Sequence, residues 1–330
     1  MAKKTDNSAS QEKASQLKTS SLPQADISLV ASLDQLVSEG RNPSTMDIDL
    51  LSTVDILNKI NVEDQKVAQA VRCVLPQLAK AVEATVSAFN QGGRLIFIGA
   101  GTSGRLGVLD AVECVPTFNI NSEQVVGIMA GGRDAIFKAV EGAEDSTTLA
   151  VDDLKAINLT ADDLVVGLAA SGRTPFVLSG LAYAKSQGSV TVGVTCCPGT
   201  PLMSESDIGI CPVVGPEVLA GSTRMKSATA QKMVLNMLTT ASMIKSGKSY
   251  QNLMVDVKAS NEKLMARAVR IVMQATDCSY EASKEALKKA NNNAKMAILL
   301  LLTGSTLEQG EALLKKHNGF LRNAVEQNQA

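Results

Sequence analysis

The sequence predicts an α/β protein built on a doubly wound, mainly parallel sheet with flanking helices, followed by a small all-helical C-terminal unit. Three observations predict it. Short apolar runs of β type alternate with helical stretches between residues 94 and 214. Two of those runs end in glycine-rich turns that lead into helices, as strand-to-helix connections at a ligand-binding edge do. Beyond Gly247 the β-type runs cease and only helical periodicity remains.

Taken in order, residues 1–25 read as a disordered polar tail. The stretch from Met1 to Ser21 is mainly Lys, Ser, Gln and Thr without an apolar h-region, so it is expected to be neither a signal peptide nor an anchor. Asn42 and Pro43, then residues 47–49, form a turn-rich stretch. Val67, Val71, Val74, Leu78, Val82 and Phe89 follow at helical spacing, and Pro76 must kink or divide that helix. After Gly92 and Gly93 the strands are expected at 94–98, 125–129, 164–168, 190–195 and 208–214, with helices at 106–114, 133–140 and 176–187 between them. A longer helix is expected at 226–246, and the C-terminal unit reads as helices at 261–274, 279–290, 293–302 and 307–316. The division is therefore a tail (1–25), a sheet domain with N-terminal helices (26–250) and a helical domain (251–330).

Composition excludes several function classes. Thirty-two basic residues balance 33 acidic ones, with no basic stripe interleaved with aromatics, which argues against a nucleic-acid partner. The 6 cysteines include no CxxC pair and fit a reducing, cytoplasmic compartment. The apolar run at 296–302 is far shorter than the ~20 residues a bilayer crossing needs, so no membrane partner is expected. The single histidine, His317, lies in the helical tail, which argues against a Ser/His/Asp triad in the sheet domain and against a multi-histidine metal site. It reads as a helix-end residue.

The first glycine-rich turn runs Gly99, Ala100, Gly101, Thr102, Ser103, Gly104, Arg105. It formally matches the dinucleotide pattern GxGxxG, but Phe118, Asn119 and Ile120 stand where such a site wants an acidic residue for the ribose. The second turn, Ser171, Gly172, Arg173, Thr174, repeats Ser-Gly-Arg after another apolar strand, with Pro175 suited to an early helical position. Helix capping alone would account for one such turn. Two of them at strand ends suit a compact phosphate monoester, whose oxygens need convergent donors near helix N-termini.

Without a catalytic histidine, acid–base work falls to carboxylates or lysines. Glu113, beside Cys114 and close to the end of the helix that leaves the first turn, is expected to be partly desolvated and so suited to act as a general acid. Glu144 lies in an acidic cluster that equally fits a solvated helix end. A third segment, residues 215–226, brings Glu217, Ser222, Arg224 and Lys226 to the entrance of an apolar helix, where the two cations suit a phosphate or carboxylate.

Together these residues resemble the N-acetylmuramic acid 6-phosphate etherases. The resemblance rests on the run from Gly99 to Gly107 with Leu109, Asp110, Ala111, Glu113 and Cys114, on residues 139–146, on Ser171 to Pro175, on residues 216–232 and on Asn252 to Val257. It spans roughly Ser38 to Arg322. It implies a sugar isomerase (SIS) fold, a homodimer working without cofactor or metal, and cleavage of the lactyl ether of a phosphosugar to N-acetylglucosamine 6-phosphate and D-lactate in cell-wall sugar recycling. Carried over by motif position, Glu113 is the proton donor and Glu144 the second active-site glutamate. Gly101, Thr102, Ser103, Gly104, Arg105, Ser171, Gly172, Arg173, Thr174, Glu217, Ser222, Arg224 and Lys226 are the expected substrate ligands. The sequence departs from the family pattern at Gly40, Val112 and Val115, none of which removes a proposed catalytic group. The alternative is a non-catalytic phosphosugar sensor, because the family is also similar to the glucokinase regulatory protein.

Overall fold

The structure, a computed structural model, describes residues 36–256 and 262–328. The expected polar tail lies outside the described residues. Helix α1 (Thr53–Arg72) starts on Ser52, whose hydroxyl accepts from Asp55 N, and α2 (Leu75–Asn90) follows after a two-residue break. Pro76 divides the two, because its ring would clash with the carbonyl of Arg72 in a continuous helix.

The sheet then alternates with helices: β1 (Leu95–Gly99), α3 (Gly101–Phe118), β2 (Val125–Met129), α4 (Leu149–Ala156), β3 (Leu164–Leu168), α5 (Pro175–Ser186), β4 (Val190–Val194), α6 (Pro201–Glu205) and β5 (Ile208–Ile210). All pairings are parallel, in the order β2-β1-β3-β4-β5, with Leu95 aligned to both Val125 and Leu164. Both faces are covered. Leu95 and Phe97 of β1 and Leu164, Val166 and Leu168 of β3 pack into a core with α1, α2, α3 and α7 (Lys226–Lys245). The alternate residues Ile96, Ile98 and Val165 pack into a second core with Leu154 of α4 and Phe176, Val177 and Leu181 of α5. That alternation is the period of two that a sheet buried on both sides imposes.

Three expectations fail locally, the first being the strand foreseen at 208–214, which ends at Ile210. The helix foreseen at 106–114 starts earlier and runs through Pro116 to Phe118, so Thr102 to Arg105 belong to its first turns and not to a loop. The helix foreseen at 133–140 is only a 3₁₀ turn, Arg133–Ile136. The carbonyls of Ala135 and Ile136, which an α-helix would offer to residues 139 and 140, accept instead from the Arg105 guanidinium at 2.7 and 3.0 Å. The crossover from β2 to β3 is made by α4, which sequence periodicity did not single out.

After α7 come α8 (Glu262–Thr276), α9 (Tyr280–Lys289), α10 (Ala294–Thr303), α11 (Leu307–Lys316) and α12 (Leu321–Asn328). They close around a third core that includes Val255, Val272, Leu287, Ile298 and Leu321. Lys295 of α10 ties this core to the end of α7, reaching Gly247 O at 2.9 Å and Asp256 Oδ2 at 2.6 Å. Among the described residues no helix is long and apolar enough to cross a membrane.

Candidate active site

The connection from β1 goes to β2 on one side, while β3 and β4 continue on the other, so the strand order reverses between β1 and β3. A crevice opens at the carboxyl ends of strands at such a point. Gly99 pairs with Leu168 across it, so the two glycine-rich turns lie on adjacent strands, about 5 Å apart in sheet spacing.

The first turn is tight because its glycines touch backbone. A Cβ on Gly104 would lie 2.5 Å from Gly99 O, and Gly101 has φ +53°. Helix α3 is therefore seated directly on the end of β1. Its N-cap, Ala100, supplies no side-chain hydrogen bond, which leaves the first backbone N–H groups without a side-chain cap. Thr102 is half-buried, whereas Ser103 is buried and donates its hydroxyl to Gln231 Oε1 of α7 at 2.8 Å.

The second turn is built similarly. Gly172 has φ +68°, and a Cβ there would stand 2.2 Å from Thr200 Oγ1. Arg173 N donates to Ser171 Oγ at 3.4 Å, and Thr174 leads into α5 without capping it. The loop after β4 and the start of α6 brace this turn from behind: Leu202 N donates to Gly172 O at 3.2 Å, and Thr195 Oγ1 to Ala170 O at 3.0 Å. Glu144 is brought here from the β2–α4 connection. Its Oε1 accepts from Thr174 Oγ1 at 3.0 Å and its main-chain carbonyl accepts from Phe176 N at 3.1 Å. The rest of its side chain is exposed to the crevice edge.

The third segment divides into framework and rim. Glu217, fully buried, closes the N-terminus of α7: Oε2 accepts from Lys226 N at 2.9 Å, and Oε1 from Ser227 N and Ser227 Oγ at 2.9 and 2.8 Å. Lys226 is 1% exposed and points inward, donating to Glu63 Oε2 at 2.7 Å and Val214 O at 2.9 Å. Here the polar atoms of Glu217 and Lys226 are engaged with the chain itself, because two buried charges are stable only when so paired. Ser222 is half-buried and Arg224 exposed, at the rim beyond Gly221.

Glu113 stands apart. It is exposed on α3, about 18 Å along the helix axis from Gly101 at ~1.5 Å per residue. The desolvation expected from its neighbour Cys114 is absent in the single chain, because Cys114 faces the core roughly 100° further round the helix. The buried carboxylate of that helix is Asp110 instead. Burial pushes its pKa up against the hydrogen bond that Oδ1 accepts from Asn236 at 2.5 Å, and Oδ2 accepts none.

Residues that sequence reasoning missed are Glu63, Gln231, Thr195 and Thr200. Gln231 carried a legible signal, a polar residue within the buried stripe of Ala230, Val234, Leu235 and Leu238. Glu63 carried none, since it is followed by Asp64, Gln65 and Lys66, a polar run that reads as a solvated face. Its carboxylate is nonetheless held at about 2: burial opposes its charge, but hydrogen bonds from Lys226, Lys66 and Ser44 outweigh it.

Comparison with known proteins extends this description. Residues 77–185 match the glucokinase regulatory protein N-terminal SIS domain, residues 143–241 the SIS domain, and residues 251–297 the C-terminal lid domain of glucokinase regulatory protein. The chain is 62% identical to N-acetylmuramic acid 6-phosphate etherase of Colwellia psychrerythraea, over 91% of this chain and 97% of that one. It is 58% identical to N-acetylmuramic acid 6-phosphate etherase 2 of Vibrio cholerae, over 91% and 98%. It is 60% identical to the protein of the same name, without the numeral, from Vibrio atlanticus, again over 91% and 98%.

Proposed function

The chain belongs to the N-acetylmuramic acid 6-phosphate etherase family, and from that premise we infer that it is an enzyme cleaving the lactyl ether of N-acetylmuramic acid 6-phosphate. One observation carries the reading. The N-terminus of α3, which has no side-chain cap, and the turn from Ser171 to Thr174 meet at neighbouring strand ends, with a glutamate fixed beside the second turn. Such a terminus offers backbone donors to a phosphate monoester, the second turn adds the Ser171 hydroxyl, and Glu144 lies beside that turn at the same edge of the sheet.

The chemistry needs one base and one acid. In the open-chain sugar the C1 aldehyde acidifies the C2 proton, and the lactyl oxygen leaves from C3. Glu144 takes the C2 proton. The electron pair forms an enolate and then the C2–C3 double bond, expelling the lactyl oxygen, which takes a proton from Glu113. Water adds at C3 of the unsaturated aldehyde, giving N-acetylglucosamine 6-phosphate and D-lactate. General acid–base assistance supplies about 10²–10⁴-fold; the remainder comes from anchoring the phosphate and stabilising the enolate oxygen.

Glu113 and Glu144 cannot serve one site within a single chain, given the position of Glu113 far down α3. We therefore assign a homodimer in which Glu113 reaches the partner's crevice. The face that carries it supports this, since Leu109 and Val112 beside it are 51% and 61% exposed. The separate core beyond residue 250 supports reading 251–330 as a domain of its own beside 26–250. Six unpaired cysteines are in keeping with a cytoplasmic setting.

Incubation with N-acetylmuramic acid 6-phosphate and enzymatic measurement of D-lactate tests the reading. Release of D-lactate is expected. Tight binding of the sugar phosphate without any lactate would replace it with a phosphosugar sensor.

A further inference from the structure

Arg105 has the sequence position of a phosphate ligand but the contacts of something else. Its Nε donates to Ile136 O at 3.0 Å and its Nη2 to Ala135 O at 2.7 Å, so one edge of the guanidinium fork is turned onto the segment after β2. That segment has few other fixings. Ala130 N donates to Gly99 O at 2.9 Å where it leaves the sheet, and the contacts of Glu144 with Thr174 and Phe176 hold its far end. Ala135 and Ala143 are buried, but residues 137–142 between them are all exposed, with Phe137 at 87%. A span that buries so little apolar surface depends on its hydrogen bonds for its course.

We propose that Arg105 is a positioning residue that latches the β2–α4 connection to the first turn, and through it sets Glu144 at the second turn, instead of binding phosphate. The latch ties together the two anion turns, since α3 grows from one and Glu144 rests on the other. A planar fork reaching two successive carbonyls suits arginine and not lysine, whose ammonium is a single point donor. The role of Glu144 in this proposal rests on the etherase reading; the latch itself does not.

Three readouts on wild type, Arg105→Lys and Arg105→Met test it: hydrogen exchange of residues 131–146, inhibition by inorganic phosphate, and the kcat and KM of lactate release. In both variants exchange in that segment is expected to speed up about tenfold or more, the rest of the chain being unchanged. The phosphate inhibition constant should stay within about twofold of wild type, because the N-terminus of α3 is intact. The kcat should fall on the order of 10²-fold, as a displacement near 1 Å produces. Combining Arg105→Lys with Glu144→Gln should cost no more than Glu144→Gln alone. Unchanged exchange would overturn the latch, and so would a phosphate inhibition constant raised about tenfold or more. Wild-type protein that releases no lactate would sink the etherase reading while exchange and phosphate inhibition still decide the latch.

Discussion

Replacing Glu63 by Gln tests the framework beneath the site. Glu63 is 2% exposed and accepts from Lys226 at 2.7 Å, Lys66 at 2.6 Å and Ser44 at 2.9 Å, which holds its carboxyl at about 2 against an ordinary 4.5. The folded state therefore releases this proton more readily than the unfolded one. The stability this provides is fully present above 4.5 and is lost as pH falls from there toward 2. A displacement of that size corresponds to roughly 3 kcal/mol, and breaking a buried pair by removing one partner costs about 3–5 kcal/mol. With an unfolding entropy near 2.1 cal/mol/K per residue, a chain this long should lose roughly 4–7 °C in Tm at pH 7. Scanning calorimetry at pH 7, 5 and 3 should show the gap between wild type and Glu63→Gln narrowing as the solution becomes more acid. A gap within 1 °C at pH 7, or one that widens on acidification, would refute the reasoning and return Lys226 to the list of residues free to meet substrate.

The remaining predictions concern the site itself. Glu144→Gln should abolish exchange of the C2 hydrogen with deuterated water, whereas Glu113→Gln should retain that exchange and lose most lactate release; the reverse pattern, read by mass spectrometry, would swap the two roles. Co-expressed Glu113→Gln and Glu144→Gln chains should recover up to about a quarter of wild-type activity, since half of the dimers would carry one intact site. No recovery would mean that Glu113 acts within its own chain. Gly172→Ala should raise KM and lower Tm, because the added Cβ would meet Thr200 Oγ1 at 2.2 Å on a backbone already at φ +68°; wild-type values in both would remove the second turn from the site. Asp110→Asn should raise Tm at pH 7 and gain little near pH 3. Burial lifts the Asp110 pKa, so its charged form is what the fold tolerates poorly. An equal gain at both pH values would show that its charge is not the cost.

The sheet was legible because its signals are local. Val125–Met129 and Leu164–Leu168 are apolar β-type runs bounded by turn residues, and both fall where sequence puts them. The β2–α4 connection was not, because its shape is set by Arg105, a residue some 30 positions away whose contacts no periodicity reveals. The same holds for the site. The two glycine-rich turns could be read from glycines and hydroxyls at strand ends, but that Glu144 rests on the second of them could not. Which cations face a ligand could not, since Lys226 and Arg224 are alike in sequence and are separated only by Glu63, which lies 163 residues from Lys226 and reads as surface. Glu113 was legible as a motif residue but not in its exposure, because the side of α3 it occupies depends on where that helix begins.

The central claim is that the sugar C3–O bond breaks by elimination and is remade by hydration, and running the reaction in ¹⁸O-labelled water tests it most directly. The account predicts D-lactate free of label and N-acetylglucosamine 6-phosphate carrying ¹⁸O in its C3 hydroxyl. Label in the lactate, with none at C3, would place bond breaking on the lactyl side and contradict it.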